Sequence, residues 1–474
     1  MTFVYYDLIL LLIFIIGIST FLYKNKKNIK TEGQMVLYPT QWGIIQIEKF
    51  GEKHPKFMKA VSYTSIVLGY ILMIAAVYFL YQVVSVYLLR ADVVRAVKIP
   101  PIMPLIPYLP QMFSISWLPN FYFTYWIIIL AIVAITHEFA HGIVAIYHKV
   151  KVKTTGFGFF PKIFPIFLAA FVELDEKAMA KKSKFKQLSV LSAGVFANIL
   201  TTIIAIILMA IFFTFAFTAQ GVNFDTYDYK IVNMSNTQIY SINGFALNNS
   251  DAIQNSLNNS NLIKVNTSSG NYLATQEMLL NPVTVGKDVF YIMYYYSPAA
   301  KANLSGTIIQ INGKNITSFK QLSSTLKNKT VGENISITTI NNSKQTVYNL
   351  TIEEYTKNTT GIGIGFLQAS EGKIIQKITK LATSYKDSRV SYLPTFGASM
   401  FIYNLLWWLI LISLSVAIMN MLPVGIFDGG RFFYLTVLGI TGSEKVAKVS
   451  FKITTYIFLL SMIALMVFWV LSFF

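Results

Sequence analysis

Six apolar runs dominate the chain, at residues 7–23, 62–89, 121–147, 188–219, 398–422 and 453–474. A helix crosses a bilayer with about 20 mostly apolar residues, so each run can span once. Unpaired backbone groups are costly in hydrocarbon, which makes these spans helical. Only 13% of the 474 residues are charged, roughly half the share of a soluble protein. An ordinary soluble enzyme and a disordered chain are both excluded. The chain has no Cys, so it has no disulfide, thiolate metal site or Cys nucleophile.

The first run is no signal peptide by its charges. Its leader MTFVYYD has neither Lys nor Arg, whereas Lys24, Lys26, Lys27 and Lys30 follow it. It is expected to be a retained anchor with its N-terminus outside. Segment 24–60 carries eight Lys against three acids, and 148–187 carries nine against three. Segment 90–120 has only Arg90, Arg95 and Lys98. The positive-inside rule makes the first two cytoplasmic and the third external. Six spans then leave both termini, and the insert at about 222–392, outside. The net charge of +18 thus orients the chain and touches anionic lipid. No nucleic-acid role is expected, because the basic loops lack interleaved aromatics or a binding fold.

At about Gly221 the apolar run gives way to Asn, Ser, Thr and alternating β-branched residues, the composition of a soluble, strand-rich region. Eleven N-x-S/T sequons occur, at Asn233, Asn248, Asn258, Asn266, Asn303, Asn315, Asn328, Asn334, Asn341, Asn349 and Asn358, all in this insert. Sequons mark exposed sites in surface segments, which agrees with the lysine count. The stretch IYSINGFALNNSDAIQNSL (239–257) matches IIQINGKNITSFKQLSSTL (308–326) at an offset of 69 residues. Each copy reads as strand, Asn-Gly turn, short strand and helix. With SPAAKANL (297–304) ahead and GIGIGF (361–366) behind, the second copy resembles a PDZ domain of the membrane-protease type, and the first is PDZ-like. A PDZ fold binds an extended peptide at a sheet edge.

The third span carries His137-Glu138-Phe139-Ala140-His141. Residues four apart share a helix face, so both imidazoles can grip one zinc with Glu138 beside them as general base. Ionisable residues inside a span are costly and usually functional. His148 lies eleven residues beyond His137, about 16 Å of helix rise, and is read as an interfacial histidine. His54 stands alone in a basic loop. A catalytic zinc site needs a third protein ligand and an open position. The candidates are Glu173, in FVELDE, and Asp428, in NMLPVGIFDGG (420–430). Asp428 is preferred, because it follows a helix broken by Pro423 and Gly425, and broken helices at membrane depth line sites.

His-Glu-x-x-His on one span, with Asn420-x-x-Pro423-x-x-x-x-Asp428-Gly429 on a later one, resembles the site-2 protease family of intramembrane zinc metalloproteases. AAFVEL (169–174) and SAGVFANIL (192–200) agree, with Gly194 and Asn198 matching the family's Gly-x-x-x-Asn helix. The resemblance covers roughly 121–219 and 398–440 and the PDZ character of the insert. Val195 stands where many members have Pro, and Ala140 where Gly is common; neither removes a functional group. The resemblance implies one zinc ion per chain on His137, His141 and Asp428, with Glu138 activating water. It implies that Asn198 positions substrate or stabilises the oxyanion, and that Asn420 and Pro423 shape the turn presenting Asp428.

Stretch 156–171 is apolar but interrupted by Gly156, Gly158, Pro161 and Pro165. It is read as a membrane-dipping loop or hairpin, and the family resemblance suggests an edge that pairs with substrate. The expected fold is a polytopic α-helical membrane protein of about six spans with an inserted extracytoplasmic α+β region of PDZ-like repeats. Residues 1–120 form anchor spans and a basic loop, 121–221 and 393–474 the catalytic membrane core, and 222–392 the tandem PDZ-like region. The expected activity is intramembrane zinc endopeptidase action on single-span proteins of the cell membrane, with an upstream protease a possible partner. Rivals are an anchored zinc protease that uses Glu173 on soluble or misfolded chains, and a metal-binding transporter or receptor.

Overall fold

The computed structural model describes residues 3–33, 35–90, 94–95, 99–113, 115, 118–160, 167–246, 257, 262–356, 359–366, 380 and 383–472. The chain divides into two compact units, Met1–Met209 with Met400–Phe474, and Ala210–Ser399.

In the first unit, six helices are long and apolar enough to cross a membrane. They belong to a polytopic membrane protein. These spans are α1 (Phe3–Lys24), α3 (Pro55–Leu89), α4 (Phe123–Tyr147), α5 (Lys184–Ala216), α6 (Ser399–Asn420) and α8 (Glu444–Leu471). Between them lie α2 (Trp42–Lys53), which follows the first span, and α7 (Asp428–Thr441), which follows the fifth. Pro55 starts α3, a position where its missing N–H is no loss. The fourth apolar run extends to residue 219, but its helix stops at Ala216 and the chain continues as a strand. Of the six spans, α4 is the most enclosed and α1 the least. The helix bearing the histidines is therefore the central one.

A four-stranded antiparallel sheet also belongs to this unit: β1 (Lys30–Glu32), β2 (Met35–Thr40), β3 (Val152–Phe160) and β4 (Phe167–Leu174), in that order. Stretch 156–171 is thus mostly strand, with residues 161–166 outside the described ones. Pairing of β2 with β3, from Val36 opposite Phe159 to Thr40 opposite Thr155, puts both lysine-rich loops at the same end of the helices. The lysine counts had assigned them to one side. Among the described residues, strand β4 has a strand neighbour only on its β3 side. Val172 and Leu174 of β4 pack with Ile44 and Ile47 of α2 and Phe139 and Ile143 of α4, so an apolar contact sets the sheet against the motif helix.

At the other end of α4, the buried Asp7 of α1 accepts hydrogen bonds from Phe123 N at 2.7 Å, Thr124 N at 2.8 Å and Thr124 Oγ1 at 2.5 Å, and from Tyr108 OH. The first backbone amides of a helix have no partner within it, and here a carboxylate from a neighbouring span caps them. Both helices therefore start at the same end, which six alternating spans require of the first and third.

The second unit is built, among the described residues, on two larger sheets, the second of which includes β5 (Phe217–Val222), and two short strand pairs. The first contains β6 (Tyr229–Asn233), β7 (Ile239–Ile242), β8 (Phe245–Ala246), β9 (Ile263–Thr267), β10 (Gly270–Ala274), β11 (Val283–Val285) and β12 (Asp288–Tyr295). The second contains β13 (Thr307–Ile311), β14 (Lys314–Asn315), β15 (Asn334–Asn341), β16 (Lys344–Thr351) and β17 (Val390–Pro394), in the order β16-β15-β13-β5-β17 with β14 on β13. The sequence repeat has a structural counterpart. Asn243 and Asn312 adopt positive φ, 47° and 49°, each followed by a positive-φ glycine, as a two-residue hairpin turn demands. In each turn the Asn Oδ1 accepts a backbone N–H from a later strand, Lys264 or Ser336, at 2.7 Å. The helix expected at the end of the first copy lies outside the described residues apart from Leu257, whereas that of the second forms at Phe319–Lys327.

Candidate active site

His137 and His141 are one turn apart on α4 and both buried. Their Nε2 atoms are 3.1 Å apart. Asp428 Oδ2 lies 3.2 Å from Nε2 of His137 and 3.3 Å from Nε2 of His141. Among the described residues, these three form the one group of His and acidic side chains with ligand atoms close enough to share an ion.

The hydrogens decide what such a triangle can hold. Nδ1 of His141 lies 2.7 Å from the Val190 carbonyl oxygen. A carbonyl only accepts, so Nδ1 carries the hydrogen and Nε2 offers a lone pair. His137 Nδ1 lies 3.1 Å from the amide nitrogen of Asn198, whose own oxygen is buried without a partner. An amide turned end for end occupies the same space. Reversed, its oxygen accepts the Nδ1 hydrogen of His137, and that ring too offers its Nε2 lone pair. Two imidazole lone pairs and a carboxylate oxygen converging within hydrogen-bond distance suit a shared cation. The set of two nitrogens and one oxygen fits zinc with a fourth position open.

Close backbone approach makes the triangle possible. A Cβ on Gly194 would lie 2.4 Å from His141 Nε2 and 2.5 Å from His137 Cε1, so α5 passes the imidazoles only where it has no side chain. The Gly-x-x-x-Asn spacing then puts Asn198 one turn on, against the far nitrogen of His137. Ser413 of α6 donates to the Asn198 carbonyl at 2.8 Å, tying α5 to the helix that leads towards Asp428.

Asp428 is presented by a break. Helix α6 ends at Asn420, the buried Pro423 lies in the turn, and Asp428 is the first residue of α7. A Cβ on Gly429 would fall 2.4 Å from the Met421 carbonyl carbon, and one on Gly430 would fall 2.4 Å from Val424 O. The two glycines let α7 start folded back on the turn. Arg431 of α7 donates to Glu176 at 2.8 Å, holding α7 to the segment after β4.

Glu138 follows His137, and its Oε2 accepts the Val172 N–H of β4 at 3.1 Å. The carboxylate thus sits between the imidazole pair and an edge strand. Glu173, the rival ligand, is not brought there. It is 43% exposed and takes Lys153 Nζ at 3.5 Å and Thr154 Oγ1 at 3.2 Å.

His148 differs from its reading as an interfacial residue. It is buried, with Nε2 at 3.1 Å from Ser62 Oγ and 2.8 Å from Ser189 Oγ. Burial, with Lys186 and Lys182 nearby, pushes its pKa down to about 4, so the neutral ring ties α3 and α5 to the end of α4. His54 precedes α3, its ring 5.9 Å from that of Phe50. Sequence reasoning missed Val190, which acts through its backbone carbonyl and so leaves no side-chain signal. It also passed over Asp7, a lone carboxylate in an apolar run, which is the kind of signal that marks a buried partner.

No curated protein sequence matches this chain. The family model described as Peptidase family M50 matches residues 125–465, a stretch that runs from the start of the motif helix into the last span. With that match across most of its length, and with the histidine pair, Asp428 and the membrane spans in place, the chain belongs to peptidase family M50, the site-2 protease family of membrane-embedded metallopeptidases.

Proposed function

We propose that this protein is an intramembrane zinc endopeptidase that hydrolyses peptide bonds within or near the spans of single-span membrane proteins. One observation carries the reading: His137, His141 and Asp428 converge from two spanning-helix regions, with Glu138 beside them. Bound zinc would acidify a water molecule and polarise the scissile carbonyl. Glu138 would take the proton from that water and pass it to the departing amine. His141 is held by Val190, and His137 by Asn198, in the tautomer that leaves each Nε2 free to bind metal. Asn198 is fully buried, which favours orienting His137 over meeting an oxyanion directly.

A peptide bond in a substrate helix is shielded by its own hydrogen bonds, so substrate must unwind before hydrolysis. Among the described residues strand β4 has no strand on the side away from β3, and its Val172 N–H already reaches the proposed base. Pairing with that strand would give an unwound segment replacement partners beside Glu138. The lysine excess of both basic loops favours placing this end of the helices in the cytoplasm and unit Ala210–Ser399 outside. The matched Asn-Gly turns support a pair of PDZ-like copies there, which would restrict access of substrates with bulky external domains. A protease acting earlier on such substrates would be a partner.

The test is cleavage of a panel of single-span proteins in proteoliposomes, with fragment masses locating the cut. Cuts within or next to the span, abolished by a chelator and restored by zinc, are expected. Cuts confined to soluble segments would overturn the intramembrane reading.

A further inference from the structure

We propose that this protein is N-glycosylated on the second copy of its insert, at Asn303, Asn315, Asn328, Asn334, Asn341 and Asn349, and that the sugars shield an exposed sheet edge. The inference rests on the extracytoplasmic placement proposed above.

Composition does not account for the sequons. Residues 222–392 contain 22 Asn and 36 Ser or Thr. Random order would yield about five sequons, and eleven occur. No sequon falls in the spans or in the other loops, although Asn recurs there at Asn25, Asn28, Asn120, Asn198, Asn404 and Asn420.

Folding sorts the sequons. The acceptor atom is the Asn side-chain nitrogen, which must reach solvent and be free of internal bonds. Eight sequons fall on described residues. Six of these asparagines are exposed, and all six lie between 303 and 349. Asn303, Asn315 and Asn334 use only their oxygens, as acceptors from Tyr227, Gln310 and Thr351, so their nitrogens stay available. Asn266 is the opposite case. Its nitrogen donates to Ser241 Oγ at 2.8 Å and its oxygen is buried. A sugar there would have to displace the β9 contact. Asn233 is half-buried, with its oxygen taken by Ser235 N at 2.8 Å.

The placement suggests what the sugars do. Strand β16 is at the end of its sheet, and Val347 on it is 59% exposed. A strand of eight residues with open backbone groups invites pairing with another chain. Asn349 is on that strand, Asn341 ends β15 at the hairpin turn, and Asn334 starts β15 opposite Thr351. Three bulky polar groups along one hairpin would block edge-to-edge association.

The transfer needs a polyprenyl-phosphate-linked oligosaccharide as donor. The Asn nitrogen bonds to the anomeric carbon of the sugar as the carbon–oxygen bond to phosphate breaks. The phosphate leaves with the electron pair, and the amide nitrogen loses one proton.

The test uses full-length protein from the membranes of a cell with an N-glycosylation pathway, with glycopeptides mapped by mass spectrometry. Sugar on the six exposed asparagines and none on Asn266 is expected. Bare exposed sites, or Asn266 modified as fully as they are, would overturn the proposal. Placement is read separately on Lys320→Cys, the only cysteine in that variant, with a membrane-impermeant maleimide on intact cells. Labelling from outside with all sequons bare refutes glycosylation and leaves the topology standing; labelling only after permeabilisation refutes both. For the edge, the triple variant Asn334→Gln, Asn341→Gln, Asn349→Gln should self-associate on size exclusion while its parent stays monodisperse. Equal monodispersity would remove the shielding role.

Discussion

The side-chain amide of Asn198 lies 3.1 Å from Nδ1 of His137, on the side of the ring away from Asp428. An acceptor at that place fixes the tautomer whose Nε2 can hold a metal, and partners of this kind typically change metal affinity by about 10- to 100-fold. Asn198→Leu should therefore weaken zinc binding by about that factor, measured by competition with a chromophoric chelator. Asn198→Asp, which keeps an acceptor oxygen, should bind zinc within a few-fold of the parent. Equal loss in both variants would assign Asn198 a packing role only.

Gly194 gives a steric counterpart. A methyl group there would stand 2.4 Å from Nε2 of His141, closer than any real contact, so either the histidines or α5 must shift. Gly194→Ala should bind far less than one zinc per chain while keeping a cooperative melt. Full zinc occupancy in this variant would contradict the geometry.

Asp428 and Glu173 are separated by the same assay. Asp428→Ala should lose most zinc, because it opens the ligand set. Glu173→Ala breaks only an exposed contact with Lys153 and Thr154 and should leave zinc content and melting temperature nearly unchanged. The reverse order would favour the rival ligand.

Much of this site was legible before any coordinates. The spans could be read because a bilayer imposes one length and one chemistry on every crossing. His137, Glu138 and His141 could be read because one turn of helix fixes their spacing. Asp428 needed the broken-helix argument, and Gly194 and Asn198 entered only through family resemblance, since a missing Cβ and a buried amide have no periodicity of their own. Strands β1 and β2 left no trace, because β1 is only three residues long and pairs with β2 next to it, while β2 takes its other partner from Thr155 to Phe159, far along the chain, so neither carries a local pattern. Asp7 was visible, but its partners are backbone amides at the start of another helix, which sequence does not identify.

That last contact can be measured. Asp7→Ala leaves the Phe123 and Thr124 amides buried without an acceptor and should cost about 3 kcal/mol, seen as a lower melting temperature in detergent. Asp7→Asn should recover part of it. A melting temperature unchanged in both would mean that α1 contributes little to holding α4.

The most direct test of the account is Glu138→Gln. This change removes the proposed base but no ligand, and the amide oxygen can still accept from Val172 N. In proteoliposomes with a single-span substrate, the variant should hold about one zinc per chain, keep the parent's melting temperature and cut at no detectable rate. Cleavage at near the parent rate, with zinc bound, would contradict a hydrolytic role for this site.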